Sequence, residues 1–250
     1  MEKRVPEAAM DSVSGAAVSG QDHDREAVTG NIRQVNRERI LQAATTVFAD
    51  AGFGGATMLG IANAAGLPKA NLHYYFGTKQ ALYAAVLDNI LTVWLDAADA
   101  IVPERDPAVA LADYIRAKIE HSRRFPQASK VFASEMMRGA PLLKDFLAHR
   151  LRDRVDAKVA VIEGWARQGR IVVPNPRHLL FQIWAMTQTY ADFAVQIAAV
   201  LGVETLGPAE FAAAGDTAVT LILRGCGLTP PGVPVPAPGS RQRVETATQN

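Results

Sequence analysis

Residues 66–82 read GLPKANLHYYFGTKQAL. The stretch is bounded by Gly66 and Pro68 on one side and by Gly77 and Thr78 on the other. Pro68 suits the opening of a helix, where a missing N–H costs least, and Thr78 suits the N-cap of the next one. The spacing therefore predicts a short helix ending near Phe76, about 10 Å long. On its wheel Leu72 and Phe76 point together toward a core. Ala70, Asn71 and Tyr74 point away, with Lys69, His73 and Tyr75 on the flanks. Just upstream, Thr57 caps a second short helix, Met58–Ala65, which Gly66 closes. Two short helices joined by a tight glycine turn form a helix-turn-helix unit, whose second member fits a major groove about 12 Å wide.

The chemistry of the outward residues suits that groove. Lys69 can donate to guanine O6 and N7, and Asn71 and His73 can bond base edges or phosphates. The hydroxyls of Tyr74 and Tyr75 and the ammonium of Lys79 suit phosphate oxygens. Thr57 adds a hydroxyl at a helix N-terminus. The same residues also fit a solvated face with two half-packed tyrosines, and spacing alone does not choose between the two.

Composition bounds the rest of the chain. With 250 residues, 49% of them apolar, the sequence suits a globular protein with a substantial core. The net charge is only +1, but positions 33–79 carry five cations (Arg33, Arg37, Arg39, Lys69, Lys79) against Glu38 and Asp50. That local excess is a mild sign of an anionic partner. A single cysteine, Cys226, excludes an intrachain disulfide framework and fits a reducing, cytoplasmic setting. The first thirty residues lack the apolar run of a signal peptide. The most apolar long stretch, 179–201, carries Gln182, Gln188, Asp192 and Gln196, which favours a buried helix over a membrane span.

Residues 1–30 show no periodicity and are expected to form a disordered tail. The segment TPPGVPVPAPG, 229–239, holds five prolines and starts a second tail, 229–250. Between them no strand alternation occurs, so the expectation is an all-α protein. A three-helix DNA-binding domain is expected at 31–80 and a helical-bundle ligand-binding and dimerisation domain at 81–228. The first helix is expected at about 36–51, ending at Gly52. A long helix follows Thr78, and later helices are punctuated by Pro107, Pro126, Pro141, Pro174, Pro176 and Pro208.

The segment ERILQAATTVFADAGFGGATMLGIANAAGLPKANLHYYFGTKQALYAAVL resembles the N-terminal domain of the TetR family of bacterial transcriptional regulators. The likeness covers about fifty residues and includes Gly52–Phe53…Thr57, Ile61–Ala62…Ala65–Gly66 and Tyr74–Tyr75–Phe76…Lys79…Leu82. Pro68 stands where the family usually has a Ser or Thr cap, and His73 where it commonly has tyrosine. Operator sequence therefore does not transfer from better-known members. In the body, ILTVWLDAADA, FPQASKVFASEMMRGAPLL, IEGWARQGRI and HLLFQIWAMTQTYADFAVQI look like the subgroup of pyrimidine-utilisation regulators. That likeness implies a homodimer that binds double-stranded operator DNA and releases it on binding uracil or thymine.

Within FQIWAMTQTYADF, Trp184, Gln188 and Asp192 share one face at i, i+4 and i+8. The amide of Gln188 matches the N–H/C=O edge of a pyrimidine dione, and Trp184 can stack on a flat ring. Trp94, far along the helix that leaves the head, is a further candidate for ligand binding. Phe132, Ser134, Glu135 and Met136 are weaker ones. Without the resemblance, plain core tryptophans and polar groups satisfied by backbone or a dimer mate would be the simpler account. Five scattered histidines give no metal set, and no nucleophile–base pair or cofactor loop occurs, so neither enzyme activity nor a cofactor is expected. A regulator of the same fold with an unrelated, hydrophobic effector is the alternative.

Overall fold

Threonine caps and glycine stops divide the N-terminal part of the chain into helices. The computed structural model describes residues 18–232, with side chains from residue 31. Helix α1 spans Val18–Gly55, but Gly52 is non-helical at φ 65°, ψ 172°, so the regular helix stops there as the glycine predicts. Its start lies well inside the expected tail 1–30. Residues 18–35 lack a recurring apolar spacing, so periodicity could not show this extension. The remaining tail residues, 1–17 and 233–250, lie outside the described residues.

Helix α2 (Met58–Ala65) begins at Thr57, whose hydroxyl oxygen accepts the Gly60 N–H at 3.0 Å, and ends at left-handed Gly66 (φ 61°, ψ 36°). Helix α3 (Lys69–Phe76) follows Pro68 directly. Helix α4 (Lys79–Asp96) is capped by Thr78 and passes into a 3-10 turn, Ala97–Ala100. By length and composition the stretch Lys79–Ala100 could cross a bilayer. Here, however, Leu82, Tyr83, Val86, Leu87, Ile90 and Leu91 are buried against other helices, each contributing about 1.5–3 kcal/mol of apolar burial. One continuous core joins α1–α4 to Val131, Ala140 and Leu143 further along the chain. Helix α4 thus belongs to both expected domains, rather than the head ending at residue 80.

Proline at the first turn, preceded by a polar cap, opens α5 (Pro107–Arg124, cap Asp106) and α9 (Pro176–Asp192, cap Asn175). Between them lie α6 (Pro126–Met137), the short α7 (Lys144–Phe146), a π-helical turn at Leu147–Leu151 and α8 (Arg152–Arg167). Helix α10 (Ala194–Leu201) and α11 (Pro208–Gly225) complete an all-α body, with no strand among the described residues. The core of the body gathers α5, α8, α9 and α11 around Leu111, Ile115, Ile162, Trp165, Ile183 and Leu223. Phe193 (φ −119°, ψ 29°) breaks the apolar stretch 179–201, expected as a buried helix, into α9 and α10. Val195 is 86% and Val200 81% exposed on α10, and Leu221 is exposed on α11, so an apolar face stays uncovered in the single chain.

Candidate functional site

Two regions gather the candidate residues. On α3, Leu72 is fully buried, while Lys69, His73 and Tyr74 are exposed and Asn71 and Tyr75 are half-buried. This matches the wheel, except that Asn71 is less open than expected. Tyr74 is 67% exposed and meets the edge of Tyr75 at 5.2 Å between ring centroids. The guanidinium of Arg33 lies 5.3 Å from the Tyr74 ring centre, placing another cation at the outward face. His73 bonds the Gly77 carbonyl through Nδ1 at 2.8 Å. That bond requires the proton on Nδ1 and leaves Nε2 as the outward nitrogen. Thr57 uses its oxygen as an N-cap and keeps its O–H free to donate.

Lys79 has a different role from the phosphate contact expected of it. Its Nζ donates to the carbonyls of Phe53 (2.7 Å), Ala56 (2.9 Å) and Gly54 (3.5 Å), and sits 4.6 Å from the Phe53 ring centre. The break at Gly52 frees these carbonyls from the helix ladder, and the first residue of α4 satisfies them. Its donors are thereby committed inside the protein. Lys79→Met is expected to cost about 2 kcal/mol of stability, as charge-assisted bonds do. Urea melts of the two proteins check this.

The second region is a cavity between α4, α5, α8 and α9, with about 640 Å³ of empty space counting its mouth. Trp94, Trp184 and Gln188 all line it, together with Phe132. Trp94 meets Phe132 edge-on at 4.8 Å. Trp184 Nε1 donates to the Tyr114 hydroxyl at 2.7 Å, which fixes the indole, and burial pushes the Tyr114 phenol up to about 12. The Gln188 amide forms no hydrogen bond with the described side chains or backbone. A wider groove between α1, α4 and the start of α6 lies on the other side of Trp94.

Several lining groups carry no marker that sequence reasoning used. Lys118, only 4% exposed, places Nζ 4.4 Å from the Trp94 ring centre. Burial lowers its pKa to about 8, partly countered by the charge of Asp192. Arg154 and Lys158 stand at the wall, both directed to Asp99 at 3.3 and 3.4 Å. Asp192 does not line the cavity. It accepts the Ser129 hydroxyl at 2.5 Å and ties α9 to α6, and burial raises its pKa. Ser134, Glu135 and Met136 also lie outside the lining. Glu135 is fully buried in the neighbouring core. It accepts the Leu142 N–H (2.8 Å), Arg138 Nη2 (3.0 Å) and the Tyr83 hydroxyl (3.3 Å). Burial and that carboxylate push the Tyr83 phenol up to about 12.

Residues 40–86 match the profile of bacterial regulatory proteins of the TetR family, and residues 87–229 match that of the YcdC-like protein C-terminal region. The chain belongs to the TetR family. Over 166 residues it is 48% identical to the HTH-type transcriptional regulator RutR of Escherichia coli K12, covering 66% of this chain and 78% of that protein. A shorter match, 31% over 100 residues, links it to the HTH-type transcriptional repressor NicS of Pseudomonas putida, covering 40% of this chain and 47% of that one. Among solved structures, the Streptomyces coelicolor regulator SCO4942 superposes with a TM-score of 0.61 at 26% identity, over 78% of this chain and 99% of that one.

For a TetR-family transcriptional regulator the two regions acquire distinct meanings. The α2–α3 pair is its DNA-binding helix-turn-helix, with α3 presenting the outward polar face. The cavity sits in the C-terminal region that follows, one α4 length away. Trp94 lies at the far end of the same helix whose first residue, Lys79, holds the head together.

Proposed function

We propose that this TetR-family regulator is a cytoplasmic homodimeric repressor of pyrimidine-metabolism genes, released from its operator by uracil or thymine. The observation that carries the effector assignment is the meeting of Trp94, Trp184 and the unpaired amide of Gln188 in one cavity. Indole faces suit a flat ring, and a carboxamide matches the donor–acceptor edge of an imide. The 48% identity to RutR supports the same reading. The open apolar face of α10 and α11 offers the surface through which two copies pair. Their α3 helices then address successive major grooves about 34 Å apart. Effector and DNA oppose one another, each weakening the other by the same coupling free energy.

The test is release of a labelled operator fragment, titrated with uracil, thymine and related bases. Gln188→Ala is expected to bind that fragment normally but to need about tenfold more pyrimidine for half-release, the effect of losing one paired amide. Normal release by this variant removes Gln188 from the site. A melting temperature raised by a hydrophobic compound, and by no pyrimidine, replaces the effector while leaving the regulator.

A further inference from the structure

Around the cavity the charges are one-sided. No carboxylate lines it, whereas Lys118, Arg154 and Lys158 do. The last two are directed to Asp99 at 3.3 and 3.4 Å, so their charge is already answered. Lys118 is not. No hydrogen-bond acceptor or ion-pair partner among the described residues meets its Nζ, which lies 4.4 Å from the centre of the Trp94 ring. The groups around it are Asp192 from α9, His121 on its own helix α5, and Arg154 and Lys158 from α8. Asp192 attracts it from beyond contact while holding Ser129, and Lys118 in turn disfavours charge on His121. A buried ammonium without an acceptor is costly. The protein keeps Lys118 almost wholly out of solvent, at the wall of the cavity that Trp94 and Trp184 also line.

We propose that Lys118 makes the effector cavity selective for a flat, singly charged anionic heterocycle, the charge borne by a deprotonated imide nitrogen or by a ring carboxylate. The inference rests on the effector cavity described above. Trp94 and Trp184 hold the ring, Gln188 reads one edge, and Lys118 supplies the counter-charge. An imide that binds in this form releases its proton to solvent. Acidity of the ligand, as well as its shape, then sets affinity.

Calorimetric titration of the full-length protein tests this, at pH 7.5 in two buffers of unequal ionisation enthalpy. The probes are uracil, 5-fluorouracil (the more acidic imide), orotate and nicotinate, against wild type, Lys118→Arg and Lys118→Met. Circular dichroism confirms that each variant is folded. The expected result is that 5-fluorouracil binds wild type about tenfold more tightly than uracil, with proton release visible between the buffers. Lys118→Met erases that preference, and Lys118→Arg keeps part of it. Equal binding of uracil and 5-fluorouracil by wild type overturns the inference but leaves the pyrimidine reading standing. So does a preference that survives in Lys118→Met. Binding of nicotinate alone, lost in Lys118→Met, removes the pyrimidine reading and supports the anion site. Binding of no probe overturns both.

Discussion

Replacing Glu135 by alanine is expected to lower the unfolding free energy by about 3–5 kcal/mol, because it removes one member of a buried charged network. Its carboxylate is wholly buried and accepts three donors, one from α4 and two from the segment that follows α6. Arg138 is partly exposed and can turn to water when the carboxylate is gone. The Tyr83 hydroxyl, buried in the core, cannot, and an unsatisfied buried donor costs about 1–3 kcal/mol; the half-buried Leu142 N–H adds a smaller loss. Glu135→Gln keeps an acceptor oxygen for Leu142 and is expected to lose about half as much. Chemical denaturation at one fixed protein concentration measures both, since pairing of chains would otherwise shift the midpoint. A loss for the alanine variant comparable to that of an exposed glutamate is the contrary outcome.

Lys118→Met is expected to act in the opposite direction, stabilising the effector-free protein. Burial moves the lysine pKa from 10.5 to about 8, which corresponds to roughly 3 kcal/mol of penalty on the charged form. Below pH 8 the group is charged in both states and the fold bears the whole penalty. Between about 8 and 10.5 the folded protein has shed the proton and the unfolded chain still holds it, so stability climbs with pH through that window. Above it both states are neutral and the penalty is gone. The methionine variant lacks this slope. Its advantage at neutral pH is about 2–3 kcal/mol once the lost contact with Trp94 is allowed for. His121 and Asp192 both feel the Lys118 charge but titrate below this window, and the raised phenols of Tyr83 and Tyr114 owe nothing to Lys118. Between about pH 8 and 10.5 the difference between the two stability–pH curves therefore isolates Lys118, and a flat difference there contradicts the argument.

The two regions were legible to different degrees for physical reasons. The head announces itself in local chemistry: Thr57 and Thr78 are caps, Gly66 is a left-handed turn, and Leu72 is the inward anchor of α3. None of these needs a distant partner. Trp184 and Gln188 share a face by spacing alone, and they do meet in a cavity. Lys79 misled because a lysine near a recognition helix looks free. Only the break at Gly52, 27 positions earlier, exposes the carbonyls that claim it. Lys118 was available as a signal: it falls on the same face of α5 as Leu111, Tyr114, Ile115 and Ile119, where a solvated lysine does not belong. Glu135 was less so: Arg138 stands three positions on, but the Tyr83 hydroxyl comes from 52 positions away and meets it only in three dimensions.

Helix α4 carries the Lys79 clasp at one end and Trp94 near the other. At 1.5 Å per residue the two stand about 22 Å apart on one stiff rod. Because the clasp grips the segment just past the break in α1, it ties that segment to the start of the rod. A tilt of about 5°, pivoting at Trp94 as the cavity fills, sweeps the clasp through about 2 Å. In the proposed pair of chains the two sweeps are mirrored by the twofold axis, so the spacing of the α3 helices changes by up to about 4 Å against a groove repeat of about 34 Å. The clasp thus makes α4 a mechanical lever, and softening it should blunt the response to effector even where both binding sites are intact.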